Sequence, residues 1–305
     1  MERLKSFFAI IGWLTVGFYT LAIVGAIAGL VAIIRGSDMD TEMGKPKTEN
    51  AIGVVELMGE ITTSEKFSKS LRKAMDDKDI KGVIVRIDSP GGAVGASEEI
   101  YEAIRVASTK EGAKPIVCSL GNMAASGGLY ASMGCPKVVT NRGTLSGSIG
   151  VIMMSPNVSG IMQNFGVQMN IVKSGKYKDT GSPFREQTPD DKAFLQGLID
   201  TAYGQFVDII SKSRNIPVET VKTFADGRII LGETAVKLGL ADEVGGIERA
   251  AKIVAEQAKL VGETELVYSG KQTGLLSYFK DSAVSLPLVK YLFGELGPEL
   301  RFQLM

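Results

Sequence analysis

The sequence predicts an α/β protein with a largely parallel, buried sheet, preceded by one N-terminal transmembrane helix. From Ala51 onward, apolar runs rich in Val and Ile alternate with helical patterns, which is typical of strands joined by crossover helices. Before them, residues 7–34 carry no charge, and about 20 such residues are enough to cross a bilayer as a helix. These two observations define the fold class.

The periodicity of apolar residues gives the order of the elements. Strands are expected at residues 52–57, 82–87, 115–119, 137–140, 148–153 and 265–268, with a further β-like run at 167–172. Helices are expected at 63–75, 96–107, 190–213, 232–238 and 246–259, near Ser126 and after Pro217. The chain divides into a stub and anchor (1–35), a polar linker (36–50), a folded domain (51–270) and a tail (271–305).

The apolar N-terminal segment has one alternative explanation, a cleaved signal peptide. Its apolar core is about twice as long as that of a usual signal peptide, which favours a retained anchor. Basic residues are nearly balanced on its two sides, with Arg3 and Lys5 before it and Arg35 after it. The positive-inside rule therefore favours a cytoplasmic N-terminus only slightly.

Composition excludes several functions. The 34 basic and 34 acidic residues balance, so no overall field attracts nucleic acid. The chain has no histidine, which excludes Ser-His-Asp and Cys-His mechanisms and the common zinc sites that contain histidine. A general base must then be a carboxylate, a lysine or a tyrosine. The two cysteines, Cys118 and Cys135, are expected to be small buried residues rather than a disulfide or a metal site.

A glycine pair follows the apolar strand 82–87 in the motif Asp-Ser-Pro-Gly-Gly, which ends at Gly91 and Gly92. Such a pair allows close approach of a ligand to backbone N–H groups, as an oxyanion site or an extended peptide requires. The ordinary alternative is a Pro-Gly turn at the end of a strand.

Ser126 lies among small residues in the motif Met-Ala-Ala-Ser-Gly-Gly at the expected start of a helix. Small neighbours leave the hydroxyl uncrowded, and the first N–H groups of a helix have no partner within it. A nucleophile suits this position. The alternative is a serine that caps the helix.

Three lysines, Lys173, Lys176 and Lys178, lie close together after residues 167–172. The ordinary explanation is a basic surface loop. Without histidine, however, a serine nucleophile needs another base, and a desolvated lysine is suitable. A lysine base near neutral pH needs a pKa about three units below the usual value, so its site must be largely apolar. Asp179 must then not pair with the base, and the residues alone do not choose among the three lysines.

A second serine–lysine pattern, Ser70 to Lys73, matches the Ser-x-x-Lys signature of penicillin-recognising enzymes. The partner motifs Ser-Asp-Asn and Lys-Thr-Gly are absent from the sequence. A match of this length in a polar helix is expected by chance.

Taken in order, the motifs Asp-Ser-Pro-Gly-Gly, Met-Ala-Ala-Ser-Gly-Gly, Gly-Ser-Ile-Gly-Val (147–151) and Tyr-Lys-Asp (177–179) closely resemble the short form of signal peptide peptidase A. The resemblance covers residues 50–260. It implies a spiral of ββα units like that of the Clp-protease and crotonase superfamily. It also implies Ser126 as nucleophile, Lys178 as base and Ser148 as a support for the lysine, with oxyanion donors at Gly92, or its neighbour Gly91, and Gly127.

The same resemblance implies a single-pass protein of the bacterial cytoplasmic membrane, anchored through residues 7–34, with its protease domain on the extracytoplasmic side. It implies a homo-octamer in which neighbouring subunits share each site, and remnant signal peptides as substrates bound as an added strand. No metal, cofactor or nucleic acid is expected.

Three other functions remain open at this point. A crotonase-like acyl-CoA enzyme shares the implied fold but works without Ser126. A membrane protease of the stomatin-partner type shares the dyad but usually carries a C-terminal region with several membrane spans. A non-catalytic scaffold shares the fold and is not acylated by serine-reactive probes.

Overall fold

The computed structural model describes residues 43–269 and the backbone of residues 301–303. The strands are β1 (Ala51–Met58), β2 (Ile80–Ser89), β3 (Gly91–Ala93), β4 (Ile116–Ala125), β5 (Lys137–Thr140), β6 (Leu145–Gly147), β7 (Ile229–Leu231), β8 (Glu243–Val244), β9 (Glu265–Tyr268) and β10 (Arg301–Gln303). The helices are α1 (Glu65–Asp76), α2 (Val94–Thr109), α3 (Gly127–Ser132), α4 (Ser159–Asn164), α5 (Pro189–Arg214), α6 (Val218–Lys222), α7 (Gly232–Lys237) and α8 (Ile247–Gln257).

The main sheet has eight strands, and the central path runs β7-β6-β4-β2-β1-β9. The first half of β4 also pairs with β5, and β5 pairs with β8. Every pair is parallel except β6 with β7. The α/β class is therefore confirmed, with a mixed sheet that is parallel at its centre.

Both faces of the sheet are covered, because side chains alternate along each strand. On β1, Ile52 and Val54 pack on one face against helix α8, whose apolar side contributes Ala250 and Val254. The intervening Val55 belongs to the larger core on the other face. Strands buried on both faces read as continuous apolar runs, which is why the pattern of β1, β2 and β4 is visible in the sequence.

Helix α5 begins with strong sequence signals. Thr188 and Asp191 form a reciprocal capping box, and Pro189 occupies the first helical turn. The helix ends at Asn215, which takes a left-handed conformation. The expected helix at residues 190–213 is thus confirmed, and Asp191 is fixed at 3% exposure beside the loop that precedes it.

Two predicted strands are wrong. The strand expected at 148–153 does not form. Strand β6 ends at Gly147, because Ser148 has φ 50°, which no strand residue adopts. The β-like run at 167–172 is an exposed coil; Val172 is fully exposed. Apolar, β-branched residues become a strand only where a neighbouring strand supplies hydrogen bonds, and the described part of the chain supplies none here.

The segment that the sequence suggests is a linker makes contacts where it is described. The backbone N–H groups of Lys47 and Thr48 donate to the carboxylate of Glu265, and Gly44 N–H donates to Tyr268 O. Residues 7–34 lie outside the described residues. Within residues 43–269 and 301–303, no helix has the length and apolar character needed to cross a bilayer.

The expectation for the cysteines is wrong, because Cys118 and Cys135 form a disulfide. The chain leaves β4, passes through α3 and returns beside β4, so that the two Cα atoms lie 5.8 Å apart, within the range a disulfide spans. Both residues are buried. The sequence gives two small buried positions correctly, but their proximity depends on how the chain turns between them.

Reduction of this disulfide is expected to lower the free energy of unfolding by about 3 kcal/mol, because it restrains a short loop of the unfolded chain. Urea denaturation with and without reductant measures the change. The Cys118→Ala/Cys135→Ala variant is the control and should not respond to reductant. An unchanged midpoint in wild-type protein whose thiols are shown by mass spectrometry to be free would contradict the expectation.

Candidate active site

Ser126 lies at the turn between β4 and α3, with φ 52° and ψ −118°. A non-glycine residue in such a conformation costs about 1–3 kcal/mol, and strain of this kind concentrates at functional sites. Its N–H donates to Gly147 O at 2.8 Å. Its Oγ is buried, does not cap the helix and has no hydrogen-bond partner among the described residues. The capping alternative is therefore wrong, and the hydroxyl is available for chemistry.

Ser148 follows the end of the strand next to β4. The last register pair of β4 and β6 is Ala125 with Gly147, so both serines come directly after paired residues of parallel strands. Like Ser126, Ser148 has a positive φ, and its N–H donates to Arg228 O at 2.8 Å. Parallel pairing thus brings together two serines that are 22 residues apart in the sequence.

The glycine pair lies beside the start of helix α3. Ile61 N–H donates to Gly91 O, and Ala93 N–H donates to Ile61 O, so Ile61 holds the segment from both sides of Gly92. A Cβ atom on Gly92 would lie 2.0 Å from Ile61 O, and one on Gly127 would lie 3.2 Å from Gly92 N. Only glycine fits at these two positions. The close packing of the two segments places the backbones of Gly91, Gly92 and Gly127 side by side next to Ser126.

Strand β3, which contains the glycine pair, also pairs with another strand. Residues 301–303 run antiparallel to it, with Phe302 opposite Gly92. This edge therefore accepts an extended strand through backbone pairing.

Asp88 holds the backbone of the segment that precedes Ser126, a role that the motif alone did not indicate. Its carboxylate accepts hydrogen bonds from Asn122 N–H, Asn122 Nδ2 and Met123 N–H at 3.0–3.1 Å. The register of β2 with β4 is irregular here, because Ile87 pairs with Leu120 while Ser89 pairs with Ala124. The carboxylate satisfies backbone donors that this bulge leaves without ladder partners. The sequence did contain a signal for this role. Asp88 lies one residue before the end of a strand, and the next strand contains a glycine, Gly121.

The three lysines of the third motif differ in their contacts. Lys173 Nζ donates to Asp179 Oδ1 at 2.5 Å, and Lys176 is paired with Asp190, which raises the pKa of Lys176. The Lys178 side chain is exposed and makes no hydrogen bond or ion pair with the described residues. Since Ser126 Oγ has no partner either, the chain does not bring Lys178 within hydrogen-bond distance of Ser126.

Arg185 is the centre of an ion cluster beside Lys178. Its Nε and Nη2 each donate to a carboxylate oxygen of Asp179 at 2.9 Å, and its Nη1 donates to Asp191 at 2.5 Å. Thr180 and Thr188 hydroxyls also donate to Asp191. Hydrogen bonds from Arg185, and then from Lys173, hold the pKa of Asp179 far below its usual value. Those from Arg185, and then from Thr180, do the same for the pKa of Asp191.

An α/β domain that presents a buried serine on a strained strand-to-helix turn is typical of a serine hydrolase. The model of peptidase family S49 matches residues 108–261, which include Ser126, Ser148 and Lys178. The chain belongs to peptidase family S49 and is a serine peptidase.

Two relatives have closely similar sequences. A protein of Synechocystis sp. named as a candidate protease is 44% identical over 71% of this chain and 77% of its own length. A candidate signal peptide peptidase A of Enterococcus faecium is 38% identical over 70% of this chain and 61% of its own length. Among solved structures, a ClpP1 variant of Listeria monocytogenes is 15% identical and covers 65% of this chain and 94% of its own, with a TM-score of 0.42.

Asp88→Ala is expected to destabilise the domain by about 2 kcal/mol, because it leaves backbone donors of the bulge without an acceptor. It should also slow the acylation of Ser126 by a fluorophosphonate. Urea denaturation and labelling rates measure the two effects. The control is Asp79→Ala, an exposed aspartate, which should change stability by under about 0.5 kcal/mol. Equal behaviour of the two variants would remove the assigned role of Asp88.

Proposed function

We propose that this chain is a membrane-anchored serine endopeptidase that hydrolyses remnant signal peptides, with Ser126 as nucleophile and Lys178 as general base. The observation that carries the proposal is the buried Ser126 hydroxyl, strained and without a hydrogen-bond partner in the described chain. Its N–H donates to Gly147 O, but no described residue accepts the proton of its hydroxyl. Membership in a peptidase family favours this function over an acyl-CoA enzyme or a scaffold.

The contacts of the three lysines support Lys178 as the base. Lys173 and Lys176 are each engaged with a carboxylate, and such a partner favours the charged ammonium. Lys178 has no carboxylate partner among the described residues. It is therefore the lysine of this loop whose amine is available to act as a base.

The proposed reaction proceeds in two stages through an acyl-enzyme. The neutral Lys178 amine accepts the Ser126 proton as Oγ attacks the peptide carbonyl carbon, and the N–H groups of Gly92 and Gly127 stabilise the oxyanion. The C–N bond then breaks, and the ammonium returns the proton to the leaving amine. Water attacks the ester with Lys178 again as base, which releases the acid and regenerates the serine. Ser148 accepts a hydrogen bond that orients the amine.

The substrate binds in this proposal as a strand added to β3. An extended peptide uses backbone hydrogen bonds for affinity, whatever its sequence, and this suits an enzyme for diverse signal peptide remnants. The pairing of β10 with β3 supports the proposal, because it occurs at the segment that contains Gly92. The carbonyl to be cut then lies near the oxyanion donors.

The proposed assembly is a homo-octamer with each site shared by neighbours. Lys178 lies on an exposed segment that carries large apolar side chains, among them Met154, Phe165 at 81% exposure and Val172. Apolar groups exposed together in this way are typical of interaction surfaces. A neighbouring subunit that covers them would also bring a Lys178 amine into a site whose serine lacks a base.

The proposed location is the extracytoplasmic face of the bacterial cytoplasmic membrane, with residues 7–34 as a single anchor. The disulfide between Cys118 and Cys135 supports it, because disulfides persist in oxidising compartments and are rare in the cytosol. The proposal also includes the architecture of the domain, a spiral of ββα units.

Ser126→Ala and Lys178→Ala are each expected to lower peptide hydrolysis at least about a thousandfold, because each removes a reacting group. Hydrolysis of a fluorogenic signal peptide fragment by the full chain in detergent measures this. Lys176→Ala is the control and should stay near wild type. Activity near wild type in either dyad variant would refute the proposed mechanism.

Mixing the two inactive variants tests the shared site. If Ser126 and Lys178 of one site come from different subunits, subunit exchange between Ser126→Ala and Lys178→Ala proteins should restore about a quarter of the sites. The control is each variant exchanged with itself. Absence of any regained activity, with exchange verified by mass spectrometry, would place both residues of a site in one chain.

A further inference from the structure

The ion cluster on the Lys178 loop has a property that the proposed base requires. Two carboxylates, Asp179 and Asp191, face two cations, Arg185 and Lys173. The four charges cancel. Asp179 follows Lys178 directly in the sequence, yet it forms no ion pair with the Lys178 amine; its two oxygens instead accept hydrogen bonds from Lys173 and Arg185.

Arg185 is well placed to keep Asp179 occupied. Its planar guanidinium binds Asp179 through two parallel hydrogen bonds, a geometry that lysine cannot reproduce. The opposite side of the guanidinium contacts Asp191, which is 3% exposed and is itself fixed by the capping box of α5. Arg185 is therefore held by the buried, capped start of helix α5 as well as by the exposed loop.

We propose that Arg185 is a positioning residue for the general base: it sequesters the carboxylate of Asp179, so that the Lys178 amine enters the active site without a carboxylate partner. The inference rests on the proposed function, since it concerns the same lysine. It goes further by assigning a role to a residue that does not touch the nucleophile or the substrate.

The physical reason is the sensitivity of an amine to nearby charge. An opposite charge within about 4–6 Å favours the ammonium and makes proton loss harder by one to three pH units. A free Asp179 carboxylate next to Lys178 would have this effect and would oppose the desolvation that the mechanism needs. A carboxylate held by Arg185 contributes little net field.

The other charged and ionisable groups around the loop do not replace this pairing. Lys176 and Asp190 neutralise each other as a surface pair. The remaining groups on the loop and on the first turn of α5 are Tyr177, Glu186 and Lys192. Tyr177 stacks on Phe194, and the Glu186 backbone oxygen accepts a hydrogen bond from Arg185. The described contacts leave Asp179 as the carboxylate adjacent to Lys178.

The test is the pH dependence of kcat/KM for the full, assembled chain with charge-designed variants. Arg185→Gln leaves the cluster with one net negative charge, so the acidic limb of the profile should move up by about one pH unit. Activity near neutral pH should then fall roughly tenfold, while the alkaline plateau stays near wild type. Arg185→Gln/Asp179→Asn restores neutrality and should return the limb toward its original position.

Two further variants separate charge from structure. Asp179→Asn alone leaves one net positive charge and should move the limb to lower pH, and this holds even if Arg185→Gln fails to fold. Arg185→Lys keeps the charge but loses the two parallel hydrogen bonds, so the limb should lie between those of wild type and Arg185→Gln. Size-exclusion chromatography and circular dichroism check assembly and folding of every variant.

Some results would overturn the inference. If Arg185 has only a structural role, Arg185→Gln should lower kcat/KM equally at every pH. The acidic limb of Asp179→Asn should then not move, and the double variant should be less active than either single variant. Failure of the proposed function is recognised separately, because Lys178→Ala would then remain active. An inactive Lys178→Ala together with unmoved limbs would remove the role of Arg185 alone.

Discussion

The parallel pairing of β4 with β2 on one side and β6 on the other is the constraint on which the site depends. It aligns the carboxyl ends of three strands: Asp88 lies one residue before the end of β2, and Ser126 and Ser148 directly follow β4 and β6. In parallel sheets, residues at that edge come close together although they are distant in sequence. The Ser126 N–H bond to Gly147 O then fixes the turn in which the hydroxyl is presented.

Much of this arrangement is predictable from the sequence, because buried parallel strands are apolar on both faces. The runs that become β1, β2 and β5 stand out for that reason. Strand β5 has the predicted bounds, and so does the partly buried edge strand β9. The motif around Ser126 was also correctly placed at the entry to a helix. What the sequence cannot supply is the local conformation of Ser148, whose positive φ prevents the strand that was expected to begin there.

Contacts between distant residues are the second part that the sequence does not give. The disulfide and the Asp88 network both depend on where β4 bends and where α3 returns, and neither is encoded in a local pattern. Arg185 is a similar case. Its role follows from being six residues from both Asp179 and Asp191, a relation that acquires meaning only when the loop folds back onto the capping box of α5.

Without histidine, the proposed mechanism depends on the electrostatics around an amine. An imidazole is neutral near physiological pH without assistance, whereas a lysine must be stripped of water and of every carboxylate that would keep it charged. At the nucleophile, the described chain provides a Ser126 hydroxyl that is buried and has no hydrogen-bond partner. Beside Lys178, the Asp179 carboxylate is already paired with Arg185 and Lys173. The buried hydroxyl without a partner is costly in an isolated subunit. In the proposed assembly, the exposed Lys178 amine of a neighbouring subunit would supply that partner.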